Sequence, residues 1–241
     1  MRISLRPFRL ILRQIGLEVA HAKYCPLLTD RKVYETFLPD VPIKVIFDVG
    51  ANIGQTAKRF RASFPDADIF CFEPFCENFK ALKRNLSRQP HTRPLQIALG
   101  DFSGVKDVLV DSIPGSQYNS LAPERQLLLQ DQACTIERVN CITGDDFCKV
   151  HHIKRIDILK TDTEGFDVAV LLGFAGMLSE KKISAICIEV GFLSDTSHTP
   201  LRNATDVLAN YGYGIAGFYE SIYSCRGALE YTNALFVQQP G

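Results

Sequence analysis

The chain has no tryptophan and only two methionines, and it has no excess of either charge: 27 lysines and arginines face 27 aspartates and glutamates. Equal charge excludes a global field that would draw the protein to nucleic acid, so no nucleic-acid partner is expected and any basic patch must be local. No apolar run approaches the ~20 residues that a membrane-spanning helix needs. Closely spaced cysteine pairs are also missing. Cys134, Cys141 and Cys148 are evenly spaced but form no C-x-x-C, which argues against a zinc centre. The chain holds eight cysteines, several inside apolar runs such as "DIFCF" and "AICIEV", and no signal peptide is recognised. They read as reduced, mostly buried thiols of a cytoplasmic protein.

The 241 residues are enough for one large domain with a sizeable core. From Ile43 onward, short apolar runs alternate with amphipathic stretches, the pattern of a doubly wound, mostly parallel α/β sheet. Strands are predicted at "KVIFDV", "ADIFCF", "RIDILK" and "ISAICIEV", with a further one near "PLQIAL". Their nearly continuous apolar character fits strands covered on both faces. Helices are predicted over Gly54–Ser63, Phe75–Leu86, Phe166–Leu178 and Leu201–Asn210. The runs "VKDVLVD" and "TIERVNCI", separated by the loop "SIPGSQYNSLAPE", read as an inserted strand pair or lid beside the ligand edge.

The N-terminal stretch differs from the rest. It has no acidic residue before Glu18, and Arg2, Arg6, Arg9 and Arg13 form one stripe opposite Leu5, Phe8, Leu12 and Ile15. Residues 1–40 are therefore expected to form a basic amphipathic helical arm, and residues 41–241 the domain. The arm has two readings: it packs its apolar face on the domain, or it makes a peripheral membrane contact through residues 2–20.

Candidate chemistry gathers at strand ends, where open α/β sheets bind ligands. In "FDVGANIGQTAKRF", Asp48, Gly50, Asn52 and Gly54 span a strand-to-helix turn. A dinucleotide loop wants a further glycine where Ala51 and Asn52 stand, so a pyrophosphate is disfavoured, and with it a dinucleotide oxidoreductase. The spacing suits a ligand with an ammonium group, such as S-adenosyl-L-methionine. Glu73 ends the second strand where an acid accepts hydrogen bonds from ribose hydroxyls. In "RIDILKTDTEGFD", Lys160, Asp162 and Glu164 alternate and point one way if the backbone stays extended. They form either the transfer point of an enzyme or an ion-pair cluster that closes the sheet. Asp167 is assigned to a helix surface and Asp157 to a strand flank.

The blocks "FDVGANIGQTAKRF", "CFEPFCENFKALKRN", "QIALGDFSG", "YNSL" and "RIDILKTDTEGFDVAVLLGF" together resemble the FkbM family of S-adenosylmethionine-dependent methyltransferases. The resemblance runs from about Ile43 to Val190 and, more weakly, through "LANYGY" to "NALFV". It implies a class I methyltransferase fold, Rossmann-like, with seven strands of which the last pair is antiparallel. It also implies methyl transfer to a hydroxyl of a sugar, glycan or polyketide-type acceptor. Carried over residue by residue, Asp48, Gly50, Asn52 and Gly54 would line the methionine end of the cofactor and Glu73 would hold the ribose. Ala98, Leu99 and Asp101 would touch the adenine, Phe75 could pack on its face, and Ser120 would be a cofactor or lid contact. "YNSL" departs from the expected serine pair by placing Asn119 first.

Because an alcohol proton must be removed during attack, a base is wanted. Asp162 is the first choice, with Lys160 orienting it or polarising the acceptor, and Glu189 and His198 are the alternatives. A metal-free site is preferred over one in which Asp162, Glu164 and Glu189 hold a divalent cation. The competing class is a non-catalytic nucleoside-binding or membrane-docking module that keeps the fold.

Overall fold

The computed structural model describes residues 27–111, 119–123, 126–127, 134–192 and 198–239. The expected helix over residues 2–20 lies outside them, as does most of the loop between the inserted strands. The core of the fold is one large sheet. Its strands are β1 (Val45–Val49), β2 (Asp68–Phe72), β3 (Thr92–Leu95), β7 (Ile156–Thr161), β8 (Ile183–Gly191), β10 (Tyr213–Tyr223) and β11 (Leu229–Gln238). They lie in the order β10-β11-β8-β7-β1-β2-β3, and the two-residue β9 (Thr199–Pro200) pairs with β8. Pairing is parallel from β3 through to β8, while β11 is antiparallel to both β8 and β10. This is the doubly wound sheet expected from the strand pattern, with β1 at the point where the chain reverses its direction of winding.

Each face of the sheet carries its own core. Phe47, Phe70 and Phe72 meet Phe147 and Phe174 on one face. On the other, α2 (Gln55–Ser63) and α3 (Cys76–Leu86) pack over Ile46, Ile69, Cys71 and Cys187. That second core also contains Leu28, Val33 and Tyr34 from the segment carrying α1 (Arg31–Phe37). Tyr34 is buried against Phe60 and Phe64, and its hydroxyl lies 3.2 Å from Cys187 Sγ. The boundary placed at residue 40 therefore falls inside the packed fold, because residues 27–37 contribute buried apolar side chains to it. All seven described cysteines are free; Cys71, Cys141, Cys148 and Cys187 are buried, and Cys225 is exposed.

Two predicted elements are split. "PLQIAL" becomes β3 in the large sheet and β4 (Ala98–Gly100) in a small sheet of order β4-β6-β5. The main-sheet register ends at Phe72↔Leu95, so beyond Leu95 the chain bends away and finds a new partner in β6 (Cys134–Thr143). The inserted pair is real: β6 runs antiparallel to β5 (Gly104–Asp111). The helix predicted over Phe166–Leu178 breaks into α5 (Asp167–Leu172) and α6 (Ala175–Ser179). At the break, Gly173 sits so close to β4 that a Cβ there would lie 1.9 Å from the Gly100 carbonyl oxygen. Between these elements stands α4 (Gly144–Val150), whose first turn is capped by the Thr143 side chain, and α7 (Leu201–Ala209) follows β9. Among the described residues, no helix is long and apolar enough to cross a membrane.

Candidate active site

A cavity of about 500 Å3 opens where β1, β2, β7 and β8 end. That volume is in the range of pockets that take small ligands. Its floor is the turn after β1. The amides of Gly50 and Ala51 both donate to the Phe72 carbonyl, and the Asp162 amide donates to the Val49 carbonyl, tying the ends of β1, β2 and β7 together. Gly50 has φ +77°, and a Cβ on it would sit 1.9 Å from the Asp162 carbonyl oxygen. Only glycine fits there, for backbone reasons. Gly54, at φ +92°, is the residue before α2.

One end of the cavity is built around Glu73. Its two carboxylate oxygens accept from the backbone amides of Asn52 (2.9 Å) and Phe75 (3.0 Å), which fixes it across the ends of β1 and β2. Burial pushes its carboxyl up to about 7, although those two hydrogen bonds pull the other way. Each oxygen has a further lone pair for a ligand hydroxyl. Phe75, Ala98, Leu99 and Ser120 also line the cavity. Phe75 belongs to the core as well, so its ring serves packing and lining together. The Ser120 hydroxyl donates to the Thr163 carbonyl (2.9 Å) and ties the inserted segment to the loop after β7. Asn52 lines the cavity with a buried side-chain oxygen that has no hydrogen-bond partner, an acceptor facing a ligand site.

The other end is held by side chains. Lys160 is almost wholly buried, 2.9 Å from Asp162 and 3.7 Å from Asp48. Burial would lower its ammonium, but the charges of Asp162 and Asp48 outweigh that and raise it. Burial would likewise raise Asp162, yet the charge of Lys160 and its hydrogen bond leave this carboxyl below its ordinary range. Glu189 moves the opposite way: burial and the charge of Asp162 raise it, with His198 and Lys160 offsetting only part. His198 Nε2 lies 3.4 Å from Glu189 Oε2, and the imidazole stacks on Tyr231 at 4.3 Å between ring centres. β9 brings His198 there by pairing Thr199 with Val190.

Several expected positions are revised. Asp48 does not line the cavity; its side chain is fully buried beneath the floor and faces Lys160. Gly54 and Asp101 do not line it either, the first because it caps α2 and the second because it is exposed beyond β4. Lys160, Asp162 and Glu164 do not share a face by strand alternation. β7 ends at Thr161 and Glu164 has φ +53°, so the chain turns. The turn still gathers acids, since Asp162, Glu164 and Glu189 can each place an oxygen within 4.8 Å of the others. Lys160 and His198 lie against two of those three. Asp167 is buried, not on a helix surface: it accepts from the Thr163 amide and the Thr199 hydroxyl, joining the β7 loop to β9. Asp157 sits at the start of β7, where it accepts from the Lys44 and Val45 amides.

Cavity residues that sequence reasoning missed include Gln55, Thr56 and Arg59 on α2, and Tyr231 on β11. The α2 residues are spaced to share one helix face, a signal present in the sequence. Tyr231 gave none, because its place depends on the β8/β11 register.

The profile of the methyltransferase FkbM domain matches residues 48–215, well over half the chain. The chain belongs to the FkbM methyltransferase family. Among curated proteins it is similar to the 2-O-methyltransferase NoeI of Sinorhizobium fredii, 26% identical over 147 residues that cover 56% of this chain and 59% of the relative. It is likewise similar to the hexuronic acid methyltransferase AglP of Haloferax volcanii, 26% identical over 148 residues, 61% of this chain and 56% of the relative. The chain thus spans less than two thirds of these relatives' lengths. A crystal structure of an FkbM methyltransferase from Methylobacillus flagellatus KT shares the fold, with a TM-score of 0.52 and 16% identity over 80% of this chain and 43% of that one.

Proposed function

We propose that the protein is an S-adenosylmethionine-dependent O-methyltransferase acting on a hydroxyl of a sugar-type acceptor. The observation that carries this reading is one cavity with a buried ribose-type acid, Glu73, at one end and the Lys160–Asp162 and Glu189–His198 pairs at the other. Membership of the family and the sugar-modifying names of two relatives support it. The residues fit the donor: Glu73 would take its ribose hydroxyls, Asn52 Oδ1 its ammonium, and Ala98 and Leu99 the adenine edge. When bound, it supplies a methyl group on a positively charged sulfur.

The remaining work belongs to the chain's own groups. Alignment of the acceptor oxygen accounts for most of the gain, and intramolecular analogues place such effects at several kcal/mol. The acceptor proton is assigned to the Glu189–His198 pair in place of Asp162. A carboxylate already neutralised by Lys160 and held below its ordinary range is a weak base, whereas Glu189 is held above its range in the same cavity. Asp162 and Lys160 then serve as a fixed, paired wall that orients the acceptor.

The test is incubation with a methyl-labelled donor and a panel of neutral sugars, uronic acids and lipid-linked glycans. A labelled methyl ether is expected on one of these classes. Donor binding by calorimetry with no label on any acceptor would overturn the transferase reading in favour of a non-catalytic binder.

A further inference from the structure

Two permanently cationic side chains are among the described residues that line the cavity, Lys160 and Arg59. Lys160 is spent on Asp48 and Asp162. Arg59 is not. It projects from α2, and a single edge of its guanidinium is engaged: Nη1 donates to Glu220 Oε1 at 2.5 Å. Glu220 is fixed in turn, because its other oxygen accepts from the Leu28 amide (3.3 Å) and its φ of +52° sets it on an irregular stretch of β10. Nε of Arg59 is buried with no hydrogen-bond partner, and among the described residues no acceptor meets Nη2. Nε and Nη2 form the side-on edge of a guanidinium, the edge that grips a carboxylate with two parallel hydrogen bonds. A buried donor left without an acceptor in a ligand cavity calls for one.

Sheet order shows on which side of the cavity the anchor of Arg59 lies. Glu220 lies on β10, beyond β7, β8 and β11 as counted from β1, whereas Glu73 lies on the opposite side at the end of β2. Held by Glu220, the guanidinium is drawn in the direction of β10, the side of β1 opposite to β2 and Glu73.

We infer that Arg59, anchored by Glu220, is a carboxylate-binding residue of this cavity. The carboxylate has two possible sources with the same chemistry: the amino-acid end of the donor, or an acid-bearing sugar acceptor. For the first source the inference rests on the donor reading above.

The experiment is calorimetry on the full chain with S-adenosylhomocysteine and with 5′-methylthioadenosine, which keeps the nucleoside and lacks the amino-acid end. Glucuronate and glucose are then titrated onto the protein saturated with S-adenosylhomocysteine. If the donor is the source, Arg59→Ala weakens S-adenosylhomocysteine about 10- to 100-fold and leaves methylthioadenosine unchanged, as expected for loss of a charge-assisted pair. If the acceptor is the source, the loss of that size falls on glucuronate and spares both glucose and S-adenosylhomocysteine. Arg59→Lys, which can keep the ion pair with Glu220 but has no side-on edge, shows the same selectivity with a smaller loss, and methylthioadenosine binding verifies that either variant is folded. Variants that bind both acids as the unaltered protein does overturn the inference while leaving the donor reading intact. An unaltered protein that binds neither nucleoside overturns the donor reading, and glucuronate and glucose titrated onto the protein alone then decide Arg59.

Discussion

The two ends of the cavity hold buried acids in opposite ways. Among the described residues Glu73 faces no cation; two backbone amides hold it, and its carboxyl is pushed up to about 7. At the transfer end, Asp162 and Asp48 share Lys160, and Glu189 faces His198. An isolated buried acid stores free energy that a hydroxyl-bearing ligand can release, whereas a paired one holds the wall in place. Removing the Glu73 charge should therefore stabilise the protein, and removing the Lys160 charge destabilise it.

The largest expected effect is on turnover at the transfer end. Glu189→Gln should lower kcat about 10²- to 10⁴-fold with donor affinity retained, the usual range for loss of a positioned base. Asp162→Asn should lower kcat less than Glu189→Gln does. Steady-state kinetics on the acceptor found in the screen separate the two, and the reverse order would return the role of base to Asp162.

Next comes the stability of the same end. Lys160→Met leaves Asp48 and Asp162 buried without their shared cation, which should cost about 3–5 kcal/mol in urea unfolding at neutral pH. Both acids would then take up protons more readily, so the deficit should shrink as pH falls toward 5. A loss below about 1 kcal/mol would mean that the pair is screened as a surface pair is.

The same contrast governs what was legible in the sequence. The Glu73 end is local: an acid 25 positions after Asp48 and a glycine turn are readable from strand ends and spacing, while the two backbone amides that hold the acid are seen only in the structure. The doubly wound order follows from the alternation of apolar runs, and the inserted pair from its composition. The transfer end depends on pairings that no local pattern encodes. His198 reaches Glu189 because β9 docks on β8, and Tyr231 covers it because of the β11 register. The errors have the same origin. Asp167 reads as a helix-surface acid until Thr199 arrives from 32 residues away. "PLQIAL" reads as one strand because nothing local marks where β2 stops offering hydrogen bonds. Asp48 reads as a ligand contact, since strand-end position alone does not say which face of the sheet a side chain takes.

The smallest expected effect sharpens the comparison from the Glu73 end. With its carboxyl raised to about 7 from an ordinary 4.5, the folded state binds this proton more tightly than the unfolded chain does. The contribution to stability is therefore complete below about 4.5 and is lost as pH rises through about 7. Glu73→Gln removes that titration, so the variant without ligand should match the unaltered protein near pH 4.5 and exceed it by up to about 3 kcal/mol at pH 8. Affinity should move the other way. Ribose hydroxyls donate best to the ionised carboxylate, so S-adenosylhomocysteine binding to the unaltered protein strengthens as pH rises from 6 to 8, whereas binding to Glu73→Gln is weaker and flat over that interval. Denaturant titrations and calorimetry across this range read both effects. Parallel stability curves for the two proteins would show that Glu73 is solvated, and the contrast between the two ends of the cavity would then fail.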